Sequence, residues 1–551
     1  ALHMFERMQA EGIVADPFIY SCVLKACGST KNVELGKTIH ENVIKSGYES
    51  DAIVGNTLID MYFSFAYFKE ARYVFDFQSN RNMVSWSTII GGYVQHGFDI
   101  PALSLYQRMQ NERVYVNKVT LIFILKACCN MKDIEEGRLV HDNIISSGHE
   151  QDVMVGSVLV EMYAKCGFLC EADVVLESLP NKNVYSWNAI ISGYMNAELD
   201  QDAIEAFEEM KKDGVEPDKA TYSCILKACS NIECLPKGRQ IHDQILGRGF
   251  HLDSIFENSL MDMYAKCGEL DAARKMFDCL TQKDIGSWSI MISGYTRYGQ
   301  NIAAFELYDR MYYEGFEPEK ATMISILKSC GISTLISYGR LVNYTIIRSG
   351  FEQDVIVGNS LVDMYCKCGS LIEAQTVFQT MTIHNVVSWN ALIAGYVHHG
   401  CNLYALEIFD EMQKEGLLPD RITFSCILKA CTRLGSILEG KRVHEKLVKD
   451  GFQMSMVVGS TLVDMYAKCG HIEEACEVFD KMPNRGLFSW GAMIAGYSQQ
   501  HGCGNLALNF FERMQRESDF KPNEIVLSCV VKAFGEIEAL RRGMILHEEM
   551  I

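Results

Sequence analysis

From Leu403 to Lys414 the apolar residues Leu403, Leu406, Ile408, Phe409 and Met412 recur at helical spacing, and Gly416 with Pro419 closes the run. A first apolar run, opened by Trp389-Asn390, precedes it across a break near Gly400, so the stretch predicts a helix, a turn and a second helix. The same alternation returns along the chain. Residues 386–420, 421–455 and 456–486 lie over one another as related segments of 35, 35 and 31 residues, and the triplet then repeats. Fifteen units of this kind fit between Pro17 and Asn523, with partial units at 1–16 and 524–551. Stacked hairpins that bury their apolar faces only against neighbours make an elongated array, so the 551 residues need no single large core.

Particular residues keep the same ruler. The five tryptophans, Trp86, Trp187, Trp288, Trp389 and Trp490, stand 101 residues apart. Gly92-Tyr93 and Met61-Tyr62 each recur four more times at that interval, and His40, His141, His242 and His444 follow it, with Asn343 breaking the series once. No net insertion accumulates from Pro17 to Leu487, which places the spacing under geometric constraint.

Twenty-one cysteines first suggest metal or disulfides. Cys27, Cys128, Cys229, Cys330 and Cys431 keep the 101-residue interval, as do Cys166, Cys267, Cys368 and Cys469, and no Cys-x-x-Cys pair exists. They read as buried thiols of a repeat in a reducing compartment, with no metal and no cofactor. No apolar stretch is long enough to span a bilayer, which argues against a membrane partner. Residues 1–12, containing Glu6 and Glu11, read as the tail of a hairpin rather than a signal or transit peptide, and the chain, starting within one unit and stopping within another, reads as a fragment. The His547-Glu548-Glu549 run has the His-x-Glu spacing of zinc deaminases, but its histidine is the repeat histidine and no Pro-Cys-x-x-Cys follows. Phosphate-cradling glycine loops and nucleophile triads are also missing, so these residues offer no catalytic constellation. A catalytic domain beyond the C-terminus remains compatible with the sequence.

Two positions per unit are polar in a restricted way. In the short and Trp-bearing units the fifth residue is Asn56, Ser87, Ser157, Asn188, Asn258, Ser289, Asn359, Asn390 and Ser460, until Gly491. The last residue is Asn82, Asn117, Asn183, Asp218, Asp284, Glu319, Asn385 and Asp420, until Gly486. Helix capping accounts for the polarity at both positions, but not for the alternation between Asn and Ser. The second residue is mostly apolar (Val84, Met154, Ile255, Ile356, Val387, Val457), as either a buried core position or an exposed wedge.

The strings Ser388-Trp389-Asn390-Ala391-Leu392-Ile393, Met465-Tyr466-Ala467-Lys468-Cys469-Gly470 and Leu428-Lys429-Ala430-Cys431 resemble plant pentatricopeptide repeat proteins. The 35, 35, 31 alternation is similar to the subclass built from P, L and S motifs, here the Trp-bearing, long and short units. A tetratricopeptide array, whose unit is about 34 residues with a different signature, fits less well and supplies the competing reading, a protein-binding scaffold. The resemblance implies an all-α, right-handed superhelical solenoid of helix-turn-helix repeats that binds single-stranded RNA, one base per repeat. It implies an organellar RNA-processing factor, in the mitochondrion or alternatively the chloroplast, selecting cytidine-to-uridine editing sites with a deaminase or accessory editing factors as partners. The fifth and last residues named above become base-reading candidates and the second residues wedges between bases. In the family Asn with Asp favours uridine, Asn with Asn cytidine and Ser with Asn adenosine, which gives the register C-A-N-A-U-N-U-N-N-C-U.

Charge cuts against this, at a formal −19, since a nucleic-acid binder is expected to supply cations. Placement softens the objection. Lys25, Lys126, Lys227, Lys328 and Lys429 stand at the ninth position of long units, and Lys165, Lys266, Lys367 and Lys468 at the thirteenth of short ones, one and two helical turns beyond the fifth. All nine are candidates for phosphate contact, with ordinary solvated surface lysines as the alternative. Acids gather in second helices, as in Glu208-Glu209 and Asp410-Glu411, and are expected to face outward.

Overall fold

The computed structural model describes residues 2–11, 13–79, 81–248, 254–452, 456–500, 502–518 and 520–536; the His547-Glu548-Glu549 run lies outside them. All regular structure among these residues is α-helical. After the helix Leu2–Ala10, helices alternate as a first (A) and second (B) member of a hairpin, and the A helices begin at Pro17, Ala52, Met83, Lys118, Val153 and so on, at steps of 35, 31 and 35 residues. Fifteen such pairs precede a final helix, Glu524–Glu536. The short step has a local cause. In short units the B helix has 10 residues and runs into an extended residue, as at Gln78 or Met381. Elsewhere it has 13 or 14, as in Asn402–Lys414, and a left-handed Gly416 follows.

The contacts divide the chain into two compact units, residues 1–276 and 277–551, and within each the A helices pack side by side while every B helix lies on its own A helix and the next. The periodic residues are the bolts of this stack. In the first unit Trp86 sits edge-on to Phe75 of the preceding short B helix at 4.8 Å; in the second, Trp288, Trp389 and Trp490 meet Phe277, Phe378 and Phe479 at 4.7–4.8 Å. The Gly of Gly-Tyr allows close approach of adjacent A helices: a Cβ on Gly193 or Gly496 would lie 2.8 Å from the Cβ of Ala164 or Ala467. The periodic histidines tie long-unit B helices to short-unit A helices. Nδ1 of His40, His141, His242 and His444 lies 2.6–2.8 Å from the hydroxyl of Tyr62, Tyr163, Tyr264 and Tyr466, and Asn343 keeps the bond by donating to Tyr365 at 3.2 Å.

Cys27, Cys128, Cys229, Cys330 and Cys431 are fully buried, and every described cysteine is a free thiol. The described residues contain no cluster of three or more His, Cys, Asp or Glu side chains able to hold a metal ion, and no helix long and apolar enough to cross a membrane. The paired acids of the B helices do more than face outward: Asp410 binds Arg442 at 2.8 Å, Asp76 binds Arg108 at 2.7 Å, and Glu208 bridges Lys211 and Lys237. These contacts join successive B helices.

Candidate nucleic-acid interface

Most of the described A helices start on a polar residue that ends the preceding unit, Gly486 being an exception. Asn82, Asn117, Asn183, Asp218, Asp284, Asn385 and Asp420 are N-caps whose Oδ1 accepts the backbone N–H three residues on, at 2.7–3.0 Å. Capping is therefore real at the last position. It is not the role of the fifth residue, which lies one turn inside the helix, so the capping account of Asn390 and its equivalents is corrected. Glu319 departs from the rest, since it stands at the cap position but its side chain caps nothing.

The fifth residue reaches across to the next A helix and bonds the same capping residue. Asn390 Nδ2 donates to Asp420 Oδ1 at 2.9 Å, Asn188 Nδ2 to Asp218 Oδ1 at 3.1 Å, and Asn359 Nδ2 to Asn385 Oδ1 at 3.2 Å. Ser87 donates to Asn117 at 3.2 Å, Ser157 to Asn183 at 3.4 Å and Ser289 to Glu319 at 2.7 Å. A threonine completes several pairs: Thr221 and Thr423 donate to Oδ1 of Asn188 and Asn390 at 2.6 and 2.5 Å. Asn56 and Asn82 are not brought into hydrogen bond, and the buried Asn56 Oδ1 has no partner. Ser460 donates to the Met456 carbonyl, and its unit ends on Gly486, which has no side chain to offer. Asn258 and Asp284 fall in different compact units and are each placed on their own helices, Asn258 within Ser254–Lys266 and Asp284 capping Ile285–Arg297.

These bonds fix which atoms are left over. Asp420 Oδ1 is engaged by the Asn390 amide and by the backbone N–H groups of Ile422 and Thr423, whereas its Oδ2 takes no hydrogen bond among the described residues. Burial alone would raise the Asp420 carboxyl, but the hydrogen bonds from Thr423 and Asn390 hold it below the usual carboxylate range. The pair therefore offers one acceptor, Asp420 Oδ2, and one donor, the second Asn390 N–H. In Asn359 with Asn385 the last residue offers an amide N–H₂ instead, so both outward groups donate.

The second residues settle in the opposite sense from core. Val84, Met154, Ile255, Ile356, Val387 and Val457 are 51–73% exposed, so the buried alternative is corrected. In the first unit Val84, Ser87, Asn117 and Val119 line one open cavity of about 700 Å³ together with Asp60 and Ser64, the ninth and thirteenth residues of a short unit. The thirteenth position, lysine in the other copies, thus shares a face with the reading pair. Lys25, Lys126, Lys227, Lys328 and Lys429 are exposed and form no ion pair among the described residues. Each of Lys165, Lys266, Lys367 and Lys468 is bound at 2.6–2.9 Å by an acid one turn earlier.

The long units 118–152 and 320–354 lack such a pair: their fifth residues are Ile122 and Ile324, and their last residues Asp152 and Asp354 are ion-paired to Lys118 and Lys320, at 3.3 and 2.7 Å.

A pentatricopeptide repeat-containing protein of Arabidopsis thaliana is 32% identical over 531 residues, 96% of this chain and 77% of the relative, and a second, named as chloroplastic, is 34% identical over 526 residues, 94% and 84% of the two chains. The chain belongs to the pentatricopeptide repeat family. A third Arabidopsis relative, named as mitochondrial, is 32% identical across 99% of this chain, which spans 62% of it. The PPR repeat family model matches residues 182–231 and 384–433, and the PPR repeat model matches seven segments, among them 84–114, 286–316 and 488–518. Among solved structures, the pentatricopeptide repeat protein PPR10 from maize superposes with a TM-score of 0.63 at 18% identity, covering 100% of this chain and 80% of that one. PPR10 in complex with an 18-nt psaJ RNA element gives 0.62 at 17% identity, over 98% and 85%. The assignment to a tetratricopeptide array is thereby set aside. In this pentatricopeptide array, sequence reasoning missed the threonines at 221 and 423, which complete the reading pairs, and the acids that hold the short-unit lysines. Both had signals, a Thr three residues after Asp218 and Asp420 and an acid four residues before each short-unit lysine.

Proposed function

We propose that this chain binds single-stranded RNA along the A-helix face, with its P and S units each reading one base, as a PLS-subclass organellar RNA-processing factor that selects cytidine-to-uridine editing sites. The chemistry belongs to another domain or a recruited deaminase, and this chain supplies the address. The observation that carries the reading is the pattern of leftover groups. Uracil presents an N3–H donor beside carbonyl acceptors, and Asn390 with Asp420 offers an acceptor beside a donor. Cytosine presents acceptors at N3 and O2, and Asn359 with Asn385 offers two donors. The exposed apolar second residues suit separation of splayed bases. PPR10 was solved with an RNA element, and relatives carry mitochondrial and chloroplastic names, which supports an organelle without choosing one.

The test is selection from a randomised RNA pool. Enrichment of C-A-N-A-U-N-U-N-N-C-U, strongest at the uridines opposite Asn188/Asp218 and Asn390/Asp420, is the expected outcome. Selection without enrichment at those two positions would refute base reading. Binding of a peptide library in place of RNA would favour the scaffold function instead.

A further inference from the structure

The short-unit lysines are not free cations. Glu161, Asp262, Asp363 and Asp464 stand at one position of the short-unit A helix, 101 residues apart, and bind Lys165, Lys266, Lys367 and Lys468 at 2.6, 2.9, 2.6 and 2.9 Å. An acid placed one turn before a lysine is the favourable orientation on a helix, so the pairing is built into the repeat. The acids also border the reading face: the hydroxyl of Tyr185, the second residue of the next A helix, donates to Glu161. The first copy shows what remains without the lysine. There Ser64 takes its place, and Asp60 lines the cavity with Ser87 and Asn117 without an ion pair of its own, within electrostatic reach of Lys25.

We infer that Glu161, Asp262, Asp363 and Asp464 are attenuators of phosphate affinity: each cancels the lysine one turn on, leaving the long-unit lysines as the cations that meet the RNA backbone. This rests on the RNA-binding reading and adds to it an account of how an acidic chain keeps its binding dependent on bases. The long-unit row holds five unpaired lysines, one of them offset by Asp60, so four net charges face the backbone rather than nine. Single-stranded binding loses about 0.7 in the slope of log affinity against log salt for each phosphate neutralised, so the slope should be about −3 instead of about −6.

The experiment uses the whole chain, an RNA carrying the register above and a scrambled RNA of equal length, with equilibrium binding measured from 50 to 300 mM KCl. The quadruple variant Glu161→Gln, Asp262→Asn, Asp363→Asn, Asp464→Asn should bind both RNAs more tightly by a similar factor, and its slope should steepen to about −6. Changing Lys25, Lys126, Lys227, Lys328 and Lys429 to Gln should remove most of the parent's slope. An unchanged slope in the carboxamide variant, or a steep slope surviving loss of the five long-unit lysines, overturns the inference while leaving base reading intact. Failure of the parent to retain either RNA overturns the RNA-binding reading and this inference with it.

Discussion

Asp420→Asn is the substitution that best separates base reading from helix architecture. Asp420 Oδ1 accepts the N–H groups of Ile422 and Thr423 at 2.9 Å and the Asn390 amide at 2.9 Å. An asparagine carbonyl oxygen can accept from the same groups. The fourth short unit is the internal precedent, where Asn385 caps Ser388 at 3.0 Å while accepting from Asn359 at 3.2 Å. Stability should fall only by the lost attraction between the carboxylate and the helix N-terminus, about 0.3–1 kcal/mol. What changes is the outward atom, an acceptor in Asp420 and a donor in the variant. The preferred base should move from uridine to cytidine at that position alone, with a discrimination of about 1–3 kcal/mol by analogy with base-edge contacts in DNA, or roughly 5- to 150-fold in affinity ratio. The assay is equilibrium binding to two RNAs differing at one nucleotide, with a thermal melt to establish folding. An unchanged preference in a folded variant would confine Asp420 to capping. Truncating Asn390 is a poorer test. Its side chain is 6% exposed and holds both Asp420 and Thr423, so its loss mixes packing with recognition.

Other outcomes follow from the repeat geometry. Ala66, Arg113 and Glu198 hold left-handed φ angles of 61°, 53° and 60° where other copies carry glycine, as at Gly167, Gly214 and Gly97; changing each to Gly should raise the unfolding free energy by up to about 1 kcal/mol, strain relief outweighing unfolded-chain entropy, and a lowered midpoint in denaturant titration would refute this. Gly395→Ala would place a Cβ 2.5 Å from that of Cys366, and should cost about 1–3 kcal/mol in denaturant titration. Burial depresses the affinity of His40, His141, His242 and His444 for a proton, with nearby Glu49 and Glu41 partly opposing it at His40. Unfolding therefore takes up protons, and the histidine contribution to stability is full above an ordinary value of about 6.5 and lost as pH falls from there through the lower folded values. Replacing the four by Asn, the residue that the fourth copy carries naturally, should flatten the change in midpoint between pH 7 and pH 5; equal slopes for parent and variant would show that these histidines are not responsible.

The fold was legible because its contacts are local and repeated. Trp86, Gly193 and His141 each meet a partner in an adjacent helix of their compact unit, so a constant packing geometry becomes a constant interval in the sequence. The reading pair was legible as two polar columns but not as a bond, since Asn390 and Asp420 lie 30 residues apart and Asn359 and Asn385 lie 26 apart. Nor could composition separate capping from a second role, because one oxygen of Asp420 caps the helix while the other takes no hydrogen bond among the described residues. The second residues stayed open between core and exposed wedge for a different reason. Apolar side chains at helical spacing ordinarily mark a core, yet Ile356 and Val387 are exposed, and only the stacking of successive A helices decides which face they occupy.

The long units show how the two kinds of hairpin divide the work. In the pairs Asn188–Asp218, Asn359–Asn385 and Asn390–Asp420 the capping residue is joined by a side chain from the preceding A helix, which leaves one outward group on each residue of the pair. In the long units that end on Asp152 and Asp354 the cap still forms, because its Oδ1 accepts two backbone N–H groups, but the other oxygen is held by Lys118 or Lys320. For Asp354 the bond to Lys320 and the backbone hydrogen bonds hold the carboxyl below its usual range, so it remains a charged, occupied group rather than an open acceptor. With isoleucine at the fifth position, such a unit has no donor to set beside it. The same hairpins present Lys126 and Lys328 without a carboxylate partner. The units 118–152 and 320–354 therefore carry an exposed lysine without an ion pair among the described residues, where the hairpins on either side carry a bonded side-chain pair, and the 101-residue period is the spacing at which these hairpin types recur.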